Sequence, residues 1–146
     1  MEIQQLSTDN LNNLIDLVLE LWADCTFDEE CENYKRILSL DNEVCYLVKE
    51  QGIYIAFIHL TIRTDYVEGA SEFPVAYIEA LYVKPTYQNL GIGRKLVHVG
   101  ENWSRQKGCT QLASDTELNN SIAIDFHKKI GFDEANRIVC FVKKLR

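Results

Sequence analysis

The chain has 146 residues, 47% of them hydrophobic, and a formal net charge of −7 at pH 7. That length and apolar content suit a single domain over residues 1–146 and exclude disorder, while the acidic balance excludes nonspecific nucleic-acid binding, which needs a basic face to neutralise phosphates, and favours a cationic partner. Five cysteines without a C-x-x-C pair indicate neither a disulfide framework nor a metal site; with no signal-peptide pattern and no run near the about 20 apolar residues of a membrane span, the chain is expected to be soluble and cytoplasmic, with no membrane partner.

In chain order, Ile3 to Leu6 reads as a short strand. Ser7, Thr8 and Asp9 then offer N-caps to a helix whose Leu11, Leu14, Ile15, Val18, Leu21 and Trp22 recur at helical spacing. The acidic segment from Phe27 to Leu40 forms a second helix with Tyr34, Ile37 and Leu38 facing inward. Val44 to Val48 and Ile53 to Arg63 are strands joined at Glu50-Gln51-Gly52, and Val75 to Val83 is a long apolar strand closed by Pro85. A helix starts at Gly93 or Arg94 and runs to Lys107, where Gly108 provides a C-cap. Leu112 to Asp115 ends a further strand, Asn119 to Ile130 is a helix stopped by Gly131, and Ile138 to Lys143 is a final strand. The order gives an α/β (α+β) protein, a mixed central β-sheet flanked by helices on both faces.

The stretch Gln88-Asn89-Leu90-Gly91-Ile92-Gly93-Arg94-Lys95 lies between the long strand and the helix after it. A glycine-rich turn there exposes successive backbone N–H groups, and the helix N-terminus adds partial positive charge, so the pattern suits phosphate or pyrophosphate. It has neither the G-x-G-x-x-G spacing of a dinucleotide fold nor the G-K-[ST] of a P-loop. On this pattern alone, an ordinary turn opening a helix is the competing reading.

The block YIEALYVKPTYQNLGIGRKLV resembles the acetyl-CoA motif of the GNAT superfamily of N-acetyltransferases, Q/R-x-x-G-x-G/A, with Gln88, Gly91 and Gly93 in the matching positions. Asn120 to Phe132 resembles the same family's N-x-x-A-x-x-F-Y-x-K-x-G-F signature. The resemblance covers essentially the whole chain and implies the GNAT fold, with acetyl-CoA as cosubstrate and no metal. It places the pantetheine arm on the backbone of Leu81, Tyr82 and Val83, the pyrophosphate on Gln88, Asn89, Leu90, Gly91, Ile92, Gly93, Arg94 and Lys95, and a further cofactor contact on Asn120. It also implies direct transfer, with the oxyanion stabilised by backbone N–H near Leu81.

The stretches TIRTDYVEG, YIEALYV, ASDT and GFDEANRIV resemble the chromosomal-type aminoglycoside 6′-N-acetyltransferases within that superfamily. The acceptor implied is a cationic aminoglycoside, whose 6′-amine takes the acetyl group, with antibiotic resistance as the consequence. Carboxylates suit ammonium groups, and acetyl transfer needs a neutral amine, so one carboxylate must also take a proton. Asp115 is the candidate for holding and deprotonating the reactive amine. Glu79 is the candidate for a water-linked base or a second ammonium contact, with Ile78 and Ala80 expected on the opposite side of its strand. A cap or turn role competes for Asp115, and an ordinary strand position for Glu79. Trp22 and Tyr66 would supply flat acceptor walls and Asn136 a polar contact, although Trp22 also continues the apolar face of the first helix and Asn136 sits in a polar loop.

His127 stands where many family members carry the Tyr that protonates the leaving thiolate; an acid role and a helix-packing role are both open for it. Acetylation of another polyamine or a protein amine is the nearest alternative activity, and a non-catalytic acyl-CoA sensor the next. The terminal strand presents an edge that a second copy can extend or exchange, so a homodimer is expected.

Overall fold

Runs of apolar residues in the central strands build a five-stranded sheet in the computed structural model, which describes residues 1–146. Its strands are β1 (Glu2–Gln5), β2 (Glu43–Glu50), β3 (Ile53–Arg63), β4 (Val75–Val83) and β5 (Leu112–Ala113), in spatial order β1-β2-β3-β4-β5. The first three pairings are antiparallel and β4–β5 is parallel. The helices are α1 (Leu11–Leu21), α2 (Phe27–Lys35), α3 (Ile92–Gln106) and α4 (Ser121–Lys129).

Strand β3 is buried from Ile55 to Thr61 because helices cover both faces of the sheet, which is why it reads as a nearly continuous apolar run. Phe57 belongs to the core formed with Leu14, Leu17 and Val18 of α1, whereas Ile58 and Leu60 belong to the core formed with Leu96, Val97 and Trp103 of α3. Neighbouring strand residues thus serve opposite layers. At Gly100 a Cβ would come within 3.1 Å of both Leu60 methyls, so this glycine lets α3 lie directly on β3.

Several local expectations change in three dimensions. α1 is preceded by Asn10 rather than capped by Ser7, Thr8 or Asp9: Asn10 is buried, accepts the Ser7 N–H at 2.8 Å and donates to the Gln5 carbonyl at 3.1 Å, tying the end of β1 to the helix start. α1 stops at Leu21, leaving Trp22 exposed (41%) instead of continuing the apolar face. The acidic helix, N-capped by Thr26, ends at Lys35 and passes into a 3-10 turn, Arg36–Ser39, which points Leu38 outward. α3 begins at Ile92, slightly earlier than Gly93.

Two irregularities shape one end of the sheet. His59 pairs with Ala80 but Leu60 with Ile78, so Glu79 is an extra residue in β4, a bulge. The period of two breaks there, and Ile78 and Ala80 join different cores instead of sharing the side opposite Glu79. The second irregularity is the short contact between β4 and β5: only Ala76 with Leu112 and Tyr77 with Ala113 pair. From Ile78 onward β4 continues without a partner on that side, and a wedge opens between the strands.

The expected final strand does not form. Asp133 to Arg146 has no regular secondary structure, and the apolar residues of the expected strand are solvent-facing, with Phe141 91% and Val142 98% exposed. The segment keeps a strand-like sequence, but β5 offers it an edge only two residues long within this chain. No helix is long and apolar enough to cross a membrane.

Phe57 is fully buried against α1. Phe57→Ala is expected to destabilise the protein by about 3–5 kcal/mol, read in urea titration as a lower midpoint at unchanged slope.

Candidate active site

The loop after β4 is held by its own turns. The Gln88 side chain donates to the Val83 carbonyl at 3.0 Å, fixing the chain as it leaves the strand. Asn89 (φ 63°) and Gly91 (φ 82°) then take left-handed backbone angles that reverse direction into α3. Gly91 sits at the N-cap and makes no side-chain cap, so the first-turn N–H groups are left for an outside acceptor. With the helix dipole and the adjacent exposed Arg94 and Lys95, this is the chemistry of an anion site. Gly93 matters for packing instead, because a Cβ there would meet the Phe126 ring at 3.1 Å; its absence lets α3 and α4 close together beside the wedge.

Leu81, Tyr82 and Val83 lie on the open stretch of β4, where the backbone groups not turned to β3 face the wedge. Asn120 N-caps α4, its Oδ1 accepting the Ala123 N–H at 3.0 Å. Tyr82 reaches away from the wedge to α1, donating its hydroxyl to Glu20 at 2.9 Å.

Where β4 and β5 part, the structure joins Glu79 and Asp115 through two residues absent from the sequence-based candidates. Arg63 grips Glu79 in a fork, Nη2 lying 2.7 Å from Oε1 and 2.9 Å from Oε2 with Nε 3.0 Å from Oε1, and Thr61 donates to Oε1 at 2.8 Å. The Arg63 guanidinium lies 3.6 Å over the Tyr77 ring, and the Tyr77 hydroxyl donates to Asp115. Burial first, and then the Asp115 carboxylate, pushes the Tyr77 phenol well above its usual range, so it stays a donor. Glu79 is therefore already paired, while Asp115 accepts a single hydrogen bond from Tyr77. Arg63 and Thr61 stand in the stretch TIRTDYVEG, and no local pattern says that they pair across strands with a bulged glutamate.

Tyr66 and Asn136 meet at another carboxylate, Glu68: the Tyr66 hydroxyl donates to Oε2 and Asn136 Nδ2 to Oε1, the latter at 2.7 Å. These two bonds, Tyr66 first, hold the Glu68 carboxyl below its ordinary range. Asn136 thus has a defined partner, and Trp22 stands outside both networks. His127 lies on α4 facing Ser114, the residue after β5. No cluster of His, Cys, Asp and Glu is arranged to hold a metal ion.

Deeper on the same sheet, buried His59 bonds to Glu43 at 3.0 Å, and Glu43 also pairs with Arg36. Desolvation outweighs the carboxylate and lowers the His59 pKa, which makes this a neutral-ring contact fastening the 3-10 turn to the sheet rather than a second reactive centre.

Residues 7–132 match the model of the acetyltransferase (GNAT) family. The chain is 30% identical to an aminoglycoside N(6′)-acetyltransferase type 1 of Salmonella typhimurium, over 99% of each chain. Among solved structures, it is similar to AAC(6′)-Iy in complex with the bisubstrate analogue CoA-S-monomethyl-acetylneamine, with a TM-score of 0.95, 29% identity and coverage of 99% of this chain and 98% of that one. AAC(6′)-Ih of Acinetobacter baumannii matches with a TM-score of 0.92 and 32% identity over 99% of each chain.

A β-branched side chain at the left-handed Gly91 costs about 1–2 kcal/mol through the backbone angle alone, since a Cβ there meets no neighbouring atom, and it shifts the turn that presents the first-turn N–H groups. Gly91→Val is expected to weaken pyrophosphate binding about tenfold, measured by calorimetry, while far-ultraviolet circular dichroism stays unchanged.

Proposed function

The chain belongs to the acetyltransferase (GNAT) family, and from that premise we propose that it transfers the acetyl group of acetyl-CoA to the 6′-amino group of aminoglycoside antibiotics, conferring resistance to them. The observation that carries the acceptor assignment is the linked pair of carboxylates where β4 and β5 part: Asp115 under the Tyr77 hydroxyl, and Glu79 in the bulge. Such a mouth suits a ligand bearing several ammonium groups. The full-length similarity to aminoglycoside N(6′)-acetyltransferases supports the same reading.

The uncapped start of α3 fits the pyrophosphate of acetyl-CoA, and Gln88 through Lys95 would hold it. The backbone of Leu81, Tyr82 and Val83 would carry the pantetheine arm, with the Asn120 side-chain amide beside it. Asp115 holds the 6′-amine and takes its proton, directly or through water. The neutral nitrogen attacks the thioester carbonyl, the oxyanion is held by backbone N–H near Leu81, the C–S bond breaks, and the proton that the attacking nitrogen sheds passes through water to the leaving thiolate, releasing CoA. Glu79, already neutralised by Arg63, serves as a secondary ammonium contact. Exposed Trp22 and the Tyr66–Glu68–Asn136 group border the acceptor. We take residues 1–146 to act as one catalytic domain, in the cytoplasm, where five free thiols are compatible with a reducing environment.

A homodimer belongs to this proposal. An apolar, strand-like arm whose side chains are solvent-facing is suited to pairing with the sheet of a second copy. The neighbouring Ala135 sits against Gly69, where a Cβ would come within 2.4 Å of the alanine methyl, so the arm leaves the body from a fixed point.

Asp115→Asn is expected to lower kcat about 100-fold in a thiol-release assay with acetyl-CoA and tobramycin- or kanamycin-like acceptors. A 6′-hydroxyl analogue is expected to give no product; equal turnover of the two acceptors would overturn the regiochemistry. For the assembly, sedimentation of the full chain is expected to report a dimer, and deletion of residues 138–146 a monomer. A monomeric full chain would end the arm-exchange reading.

A further inference from the structure

At the closed end of the wedge, Ser114 and His127 form a pair that the transfer reaction above does not use. The Ser114 Oγ lies 2.8 Å from His127 Nε2, and His127 Nδ1 lies 2.6 Å from the Ala123 carbonyl oxygen. A carbonyl only accepts, so in the neutral ring Nδ1 carries the proton and Nε2 turns its lone pair to the serine hydroxyl, which donates to it. The ring is fixed by edge contacts with Phe126 and Phe132, at centroid distances of 5.8 and 5.1 Å. A hydroxyl bonded to a base that a third group orients is the arrangement that activates a nucleophile.

Its place in the fold gives the pair a substrate. The anion loop follows the Val83 end of β4, so a molecule whose pyrophosphate sits there and whose arm lies along the open strand brings its acyl end toward Tyr77 and Ala113, where the strands converge. Ser114 is the next residue of the chain. The neutral His127 tautomer has no proton on the nitrogen facing Ser114, so the imidazole stands there as a base.

We propose that Ser114 is a nucleophile toward the acetyl thioester and that the protein therefore hydrolyses acetyl-CoA when no amine is present. Ser114 Oγ attacks the thioester carbonyl carbon while its proton passes to His127 Nε2. The C–S bond breaks, the proton moves on to the CoA sulfur, and the acetyl group is left as an ester on Ser114. Water then attacks that ester, giving one proton to His127 Nε2; the Cβ-bound oxygen of Ser114 leaves, takes the proton back, and acetate is released. Acetyl-CoA and water balance to CoA and acetic acid, which ionises to acetate and a proton, with no other reactant. The inference rests on the acetyl-CoA half of the proposed function and is independent of the acceptor.

The test is acceptor-free thiol release from acetyl-CoA, together with intact mass and peptide mapping of the protein. Ser114→Ala and His127→Gln are each expected to lower acceptor-free release about 100-fold, with thermal stabilisation by CoA verifying that each variant folds and holds the cosubstrate. Ser114→Cys is expected to carry one acetyl group mapped to position 114 after incubation with acetyl-CoA. Unchanged release by Ser114→Ala, or a Ser114→Cys protein that binds CoA without gaining the acetyl group, overturns the inference. Acceptor-free release that depends on Ser114, in a protein that acetylates no aminoglycoside, would support this inference and refute the acceptor assignment alone.

Discussion

Two parallel residue pairs, Ala76 with Leu112 and Tyr77 with Ala113, are all that joins β4 to β5, and the separation that follows organises the rest of the molecule. A longer ladder would consume the backbone groups of Leu81 to Val83 in sheet hydrogen bonds. Because β5 ends at Ala113, those groups stay available along the wedge, and Ser114 and Asp115 are released at its apex. The bulge at Glu79 acts at the same level of the sheet, breaking the alternation so that a carboxylate enters a network with Thr61 and Arg63 beside a fully packed core. The rigidity behind these features comes from β3, buried under α1 on one side and α3 on the other.

The electrostatics at the apex of the wedge follow from that scaffold. Arg63, stacked on Tyr77 and forked onto Glu79, neutralises one of the two central carboxylates, and Tyr77 orients the other. Negative charge is thus divided unequally: Glu79 is compensated, Asp115 is only hydrogen-bonded, and Glu68 forms a separate anionic point with Tyr66 and Asn136. For the acceptor proposed above, with several ammonium groups, these carboxylates would be anchors of different strength, favouring one orientation of a molecule with many similar amines.

Most of the secondary structure was legible because its causes are local. The 3.6-residue spacing of α1, the β-branched run of β3 and the glycines around α3 carry their own signals, and Ile53 to Arg63 forms the strand that its composition predicts. What was missed depended on distant partners. The place of Asn10 at the start of α1 relies on its bond to the end of β1, and the direction of Ala80 on a bulge defined only by pairing with β3. Ile138 to Lys143 has the composition of a strand but pairs with no strand of its own chain and stays solvent-facing.

The sequence by itself determined the family and the turn that opens α3, because glycine spacing and helix starts are set by backbone geometry that a few consecutive residues encode. It also singled out Glu79 and Asp115 as acidic candidates. Only the tertiary structure decided how those carboxylates are used: that Glu79 is held by Arg63, that Tyr77 spans from the arginine to Asp115, and that Ser114 and His127 meet at the apex. Each of these contacts joins residues at least 13 positions apart, brought together by strand register and helix packing, and no short stretch of sequence specifies register between strands that meet only after the chain has folded.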